Sequence, residues 1–123
     1  MAESKDQQLC QVLVDLHSTL FDVTGVLLAS GDGLALAQDL PSGVDSARVA
    51  AMAATALGLG KRIANTLGLG GYDESVVRAN EGSLYLYMAG PAVLAVMAGA
   101  GANTGLINLE GRRAAKDLER ILA

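Results

Sequence analysis

Apolar residues recur along this chain with two periods, one typical of helices and one typical of strands. Residues 4–19 place apolar side chains on one helical stripe, and Ser4 and Gln7 are spaced as a capping box at its start. Residues 23–30 and 34–38 are short apolar runs on either side of a Gly-Asp-Gly turn. The first third of the chain is therefore predicted to be a helix followed by a β-hairpin.

The remainder of the chain is predicted to be a second helix, three strands and a last helix. Residues 44–67 have helical periodicity and end at a cluster of glycines. Residues 74–79, 83–89 and 92–98 are apolar runs joined by tight turns, so they are predicted to be antiparallel neighbours. Both alternating faces of these runs are apolar, which indicates a sheet covered on both sides. A last helix is predicted over residues 103–122.

Eight elements in this order predict the fold class. It is α/β, a three-layer α/β/α sandwich with a five-stranded antiparallel sheet, in the order α-β-β-α-β-β-β-α. The length of 123 residues is that of one domain, so residues 1–123 are expected to form a single unit.

The predicted middle helix has two apolar faces, whereas a helix that covers a sheet needs only one. Larger side chains on one side of the helical wheel are expected to cover the sheet: Val49, Met52, Ala56, Leu59, Ile63 and Leu67. The opposite side carries only small residues: Ala47, Ala50, Ala51, Ala54 and Gly58.

A face of small residues allows a second helix to approach closely. The first and last helices are needed on the other side of the sheet, so a second copy of the chain is the natural occupant of this face. A twofold homodimer is therefore predicted. The alternative interpretation is that alanine only favours helix on a solvated surface.

Patterns that suggest phosphate or dinucleotide binding are incomplete. Residues 58–61 read Gly-Leu-Gly-Lys, but Arg62 follows where a phosphate-binding loop needs Ser or Thr to hold magnesium. Residues 99–105 are rich in glycine, yet their spacing is G-x-G-x-x-x-G rather than the dinucleotide pattern. A tight bend between a strand and a helix explains the second pattern.

Potential catalytic side chains are also scattered. Cys10 and His17 lie seven residues apart on the first helix, without the cleft that a nucleophile and its base require. Asp32 is expected in the hairpin turn, and Asp73 and Glu74 in a solvated loop, where nothing would shift their pKa values. No catalytic, cofactor-binding or metal-binding residue is predicted, and an enzyme is not expected.

Composition and charge narrow the classes of partner. The 9 Lys and Arg residues against 13 Asp and Glu give a net charge of −4, which disfavours binding to nucleic acid. One cysteine and one histidine cannot form an intramolecular disulfide or assemble a zinc site.

The uncharged stretch 82–109 is broken by Gly90 and Pro91 and contains strand-type residues, so membrane insertion is not predicted. With no apolar signal core at the N-terminus, a cytoplasmic location is expected.

Four segments together carry a resemblance to a known family. With this order of elements, residues 23–38, 47–60 and 94–99 and the pattern Gly105-Leu106-x-x-x-Glu110-x-Arg112-Arg113 resemble the Roadblock family of dynein light chains and bacterial regulators of Ras-like GTPases. The resemblance implies a homodimer in which the middle helices pack together and the sheets join through residues 74–79. The predicted dimer interface is Ala47, Ala50, Ala51, Ala54, Gly58, Ser75, Val76, Val77 and Arg78.

The resemblance also implies a function. We expect a noncatalytic, homodimeric regulator of a small Ras-like GTPase in bacterial signalling, either an activator or a recruitment factor. The predicted partner-binding residues are Arg48, Ala51, Thr55 and Arg62. Arg48 and Arg62 are also candidates for arginine fingers, although bacterial members of the family act without inserting one. The alternative function is a scaffold or adaptor subunit of a signalling or motility complex, without effect on GTP turnover.

Overall fold

The computed structural model describes residues 3–123 and contains all eight predicted elements. In chain order they are α1 (Lys5–Thr19), β1 (Val23–Ser30), β2 (Ala35–Asp39), α2 (Ser46–Thr66), β3 (Glu74–Ala79), β4 (Gly82–Ala89), β5 (Ala92–Gly99) and α3 (Thr104–Leu122). The predicted fold class is confirmed, and the boundaries agree with the predicted ones to within two residues.

Side-chain caps explain where each helix begins. The Ser4 hydroxyl accepts from the backbone N–H of Gln7 at 3.2 Å, and the Gln7 side chain accepts from the backbone of Ser4 at 2.9 Å, completing the predicted capping box. The Asp45 carboxylate accepts from two backbone N–H groups in the first turn of α2, so this helix begins at Ser46 rather than at residue 44. Asn103 caps α3 in the same way.

The strands form one antiparallel sheet in the order β2-β1-β5-β4-β3. The chain leaves the β1–β2 hairpin, crosses one face of the sheet as α2, and returns through the β3–β4–β5 meander so that β5 pairs with β1. The central strands are therefore β1 and β5, and the two edges of the sheet are β2 and β3.

The sheet separates two apolar cores. Alternate residues of β1 such as Val26 and Leu28 contribute to the larger core beneath α1 and α3, whereas Leu27 and Ala29 contribute to a smaller core beneath α2. Both faces of the central strands are buried, as the uninterrupted apolar runs predict. Within residues 3–123, none of the three helices combines the length and apolar composition needed to cross a lipid bilayer.

A tyrosine and a glycine set the distance between α3 and the sheet. Tyr87 of β4 is 2% exposed and its ring lies against Gly111 of α3, where an added Cβ would sit 2.5 Å from the ring carbon Cε2. The Tyr87 hydroxyl donates to Asn108 at 2.7 Å, which fixes the ring in place. Burial, with the nearby Glu74 charge, raises the pKa of Tyr87, so the hydroxyl stays protonated as a donor.

Gly111→Ala is expected to destabilise the protein by about 1–2 kcal/mol, because the overpacking cost exceeds the gain in helix propensity. Gly58→Ala is the matched control: it also lies within a helix, but no atom approaches its added Cβ within 4 Å. Gly58→Ala should raise the free energy of unfolding by about 0.5–1 kcal/mol. Urea unfolding of both variants measures the difference, and equal stability of the two would contradict the packing described.

Candidate protein interaction surface

The face of α2 that contacts the sheet is not the one expected from side-chain size. Its buried residues are Ala50, Ala53, Leu57 and Ala64. Met52, Leu59 and Ile63, which were expected to cover the sheet, are 54%, 57% and 46% exposed. That prediction was wrong for these residues and for Leu67, which is also exposed, whereas Val49 and Ala56 are half-buried against the core.

The physical reason lies in the sheet rather than in the helix. Beneath α2 the sheet presents Leu27, Leu86 and Val93, all fully buried. These side chains already fill the layer, so the helix residues that meet them must be small, as Ala50 and Ala53 are. Met52, Leu59 and Ile63 are consequently turned away from the centre of the core, whereas Leu57 is buried in it.

This packing also corrects part of the predicted dimer interface. Ala50 has no exposed surface and lies beneath its own sheet, so it is not available to a second chain. Ala51 and Ala54 border the β1–β2 turn, where an added Cβ at Gly33 would be 3.4 Å from the Cα of Ala51 and 3.9 Å from the Cβ of Ala54. The small residues therefore make room for the chain's own hairpin. Ala47, Ala51 and Gly58 are exposed along that flank, and Ala54 is half-buried.

The opposite flank of α2 borders an open groove of about 720 Å³. Its apolar lining comes from α2 and from strands β3, β4 and β5: Val49, Met52, Val77, Leu84 and Met97. Polar residues such as Thr24, Asn80 and Glu81 also line the groove. The groove lies over the part of the sheet that α2 leaves uncovered, so the chain does not complete its second core alone.

The edge strand β3 continues this apolar surface. It pairs with β4 on one side, and within residues 3–123 no strand pairs with its outer side. Val76 and Val77 are about half exposed, and Val77 lines the groove. Ser75, Val76, Val77 and Arg78, predicted for the interface, thus lie on an open edge next to the exposed flank of α2. Exposed apolar edges favour pairing with another strand.

Two contacts hold the start of this edge strand in place. The Tyr72 ring lies against Gly60 of α2, where an added Cβ would meet the ring carbon Cε1 at 2.3 Å, and its hydroxyl bonds the Ser75 hydroxyl at 2.5 Å. Burial raises the pKa of Tyr72. The sequence analysis did not identify Tyr72. Its signal in the sequence is Gly60, a glycine within a helix, which leaves room for the ring.

The second contact is an ion pair. Glu74 accepts two hydrogen bonds from Arg112 of α3, at 2.7 and 3.0 Å, and these bonds raise the pKa of Arg112. The prediction that a strand begins at residue 74 is confirmed, whereas the expectation of a solvated loop position for Glu74 was wrong, because its carboxylate is tied to α3 on the other face. Such bidentate pairs fix geometry as well as charge.

The four predicted partner-binding residues are all exposed, and three of them are on the outer side of α2. Arg48, Thr55 and Arg62 are exposed and lie on one helical stripe, which we call the crest of α2, whereas Ala51 faces the hairpin turn. The Thr55 hydroxyl bonds the Ala51 carbonyl at 2.8 Å and so remains within its own helix.

The remaining candidate sites are not assembled. His17 pairs with Asp39 of β2 at 2.8 Å, a partner that the sequence did not suggest, while Cys10 is exposed on α1. The Asp32 carboxylate accepts from the Ser30 hydroxyl within the hairpin turn. Residues 58–61 are inside α2, and residues 99–105 form the expected bend between β5 and α3. Across the described residues 3–123, no group of three or more metal-ligating side chains forms a site.

Comparison with known proteins agrees with this architecture. The family model for the Roadblock/LC7 domain matches residues 9–98. The chain belongs to the Roadblock/LC7 family. It is 32% identical over 114 residues to MJ0714, an uncharacterised protein of the archaeon Methanocaldococcus jannaschii, covering 93% of this chain and 96% of the relative.

Solved structures share the Roadblock/LC7 fold. An MglB structure described as having a tetrameric arrangement has a TM-score of 0.88 and 25% identity, covering 98% of this chain and 92% of that one. A Roadblock/LC7 domain from Streptomyces avermitilis has a TM-score of 0.86 and 24% identity, covering 92% and 96%. Since the curated relative is archaeal, the expectation of a bacterial signalling role stays a prediction.

Ala50→Glu tests which face of α2 is covered by the chain's own sheet. A charged side chain at this fully buried position should lower the free energy of unfolding by more than about 3 kcal/mol. Ala47→Glu is the control, because Ala47 is exposed in the first turn of α2, where an acidic residue is tolerated or favoured. Thermal unfolding followed by circular dichroism compares them. A folded Ala50→Glu variant as stable as the control would refute the assignment.

Proposed function

We propose that this chain is a noncatalytic, homodimeric regulator of a small Ras-like GTPase, acting as one Roadblock domain in the cytoplasm. The observation that carries the proposal is a continuous apolar surface. It is formed by the exposed apolar side chains of α2 (Met52, Leu59 and Ile63), the groove and the open edge of β3. A single protomer leaves this surface uncovered, which favours an interface over a pocket for a small substrate.

A second copy of the chain fits this surface under one symmetry. A twofold axis perpendicular to the sheet pairs the two β3 edges antiparallel and keeps both copies of α2 on the same face. Each α2 then borders the groove of the other protomer and covers it. An axis parallel to the strands would place the two helices on opposite faces and leave both grooves open.

The proposed interface differs from the one predicted by helix-face size. Met52, Leu59 and Ile63 replace the small residues as the helix contribution, while Ser75, Val76, Val77 and Arg78 remain its strand contribution. The flank with Ala47, Ala51 and Gly58 faces the hairpin turn and is left out of the interface. In this arrangement the crest of α2 remains accessible in both protomers.

Leu59→Asp is expected to weaken dimerisation by about 100-fold, because it places a charge in an apolar contact that loses its water. Leu109→Asp on α3 is the matched control: Leu109 is 53% exposed, close to the 57% of Leu59, but lies on the other face of the sheet. Sedimentation velocity at micromolar concentration, with circular dichroism to verify folding, reports the result. A monomeric wild-type protein, or equal dissociation by both variants, would contradict the arrangement.

The GTPase partner is proposed from family membership and from the accessible crest. A broad helical surface without assembled catalytic groups suits a protein that docks on an enzyme and alters the enzyme's own site. Arg48, Ala51, Thr55 and Arg62 are the residues proposed to contact the GTPase. Arg48 and Arg62 would supply contact area rather than enter the GTPase active site.

A GTP hydrolysis assay with the Ras-like GTPases of the same organism tests this function. Addition of the chain should accelerate hydrolysis or recruit the GTPase into a stable complex, and Arg62→Ala should weaken the complex while leaving the rate at saturation unchanged. A loss of saturating rate by 10³-fold or more, the order expected for a true arginine finger, would contradict the docking role. Neither binding nor acceleration with any of these GTPases would refute the proposal.

A further inference from the structure

The charges of this chain are segregated. The segment Ser46–Thr66, which is α2, contains Arg48, Lys61 and Arg62 and no acidic residue, although the whole chain has a net charge of −4. All three cationic side chains are exposed. The most positive element of an acidic protein also carries three exposed apolar side chains, Met52, Leu59 and Ile63.

These cations are not neutralised by the chain itself. Within the part of the chain that the structure describes, every ion pair involves α1, α3 or the strands, and none includes a cation of α2. The two acidic residues that precede α2 most closely along the chain are already engaged: Asp45 accepts from backbone N–H groups of α2, and Asp39 pairs with His17. The positive charge of α2 is thus available to another molecule.

The arrangement along the crest is regular. Arg48 and Arg62 are fourteen residues apart and lie on one stripe at the two ends of α2, separated by about 21 Å along the helix axis. Thr55 lies between them, and Leu59 lies beside the stripe. If two protomers pair as proposed, the antiparallel helices bring four arginines onto one surface, where they repel one another until an anionic partner binds.

We propose that the crest of α2 docks an acidic patch on a protein partner, with Arg48 and Arg62 as the residues that recognise it. This inference rests on the proposed function, so the partner that carries the acidic patch is the Ras-like GTPase. The overall negative charge of the chain repels the dense charge of nucleic acid or of an anionic membrane, whereas a local acidic patch meets only the crest. The apolar side chains beside the arginines also suit a protein surface.

Such a surface steers association more than it adds affinity. Exposed charges that complement a partner raise the association rate, and this effect is screened by salt over about 10 Å at 0.1 M. Raising NaCl from about 50 to about 300 mM should therefore slow association of the GTPase by about tenfold. The double variant Arg48→Glu/Arg62→Glu should weaken binding at low salt by about 10- to 100-fold.

The test titrates wild-type and variant protein with the purified GTPase loaded with a non-hydrolysable GTP analogue, at both salt concentrations. The controls are Lys116→Glu and the double variant Lys116→Glu/Arg120→Glu. Both change exposed cations of α3, which lies across the sheet from α2. The controls should bind like the wild type, and sedimentation should show all variants with the same oligomeric state. Binding that is insensitive to salt and to reversal of the crest arginines would overturn the inference.

A second probe separates this inference from the proposed function. Poly-L-glutamate, a fully acidic polypeptide, is added to isotopically labelled wild-type protein while backbone amide resonances are recorded. Shifts confined to residues 46–66 support the acidic-patch inference even if no GTPase binds, whereas shifts centred on α3 or no shifts overturn it. Tighter binding of a duplex oligonucleotide or of phosphatidylserine vesicles than of poly-L-glutamate would also overturn it.

Discussion

The close packing of α2 on the sheet is the contact on which the interaction surface depends. The sheet beneath this helix is filled by Leu27, Leu86 and Val93, and the helix meets them with Ala50 and Ala53. This allows α2 to lie close to the strands and turns Met52, Leu59 and Ile63 outward. The protomer is thereby left with an apolar flank exposed to water.

The two faces of the sheet differ in how completely they are covered. Two helices, α1 and α3, close the larger core, with Leu13, Ile107 and Leu118 fully buried. One helix must cover the same five strands on the other face, and it lies mainly on β1. The groove over β3, β4 and β5 is the geometric consequence. The asymmetry is thus a matter of helix number, since a single helix is only about 10 Å wide.

The edge strand beside this groove is held in place from both sides of the sheet. Tyr72 fixes its start to α2 through Gly60, and the bidentate pair between Glu74 and Arg112 fixes it to α3. An edge strand held in this way keeps its register, which specific pairing with another strand requires. These contacts lie at one end of β3, so its middle, with Val76 and Val77, stays free for an interaction.

The sequence alone determined the elements, their order and the fold class, because caps, turn residues and hydrophobic period act within a few residues of the chain. Ser4 with Gln7 and the glycines after residue 67 mark boundaries through local hydrogen bonds and backbone conformation. The helical wheel of α2 also separated its larger side chains from its small ones. Which face points inward was decided only by the tertiary structure, because it depends on the volume that Leu27, Leu86 and Val93 bring from strands distant in sequence. The partners of Glu74 and Tyr72 were set in the same way, since each contact joins elements that meet only after the sheet has formed.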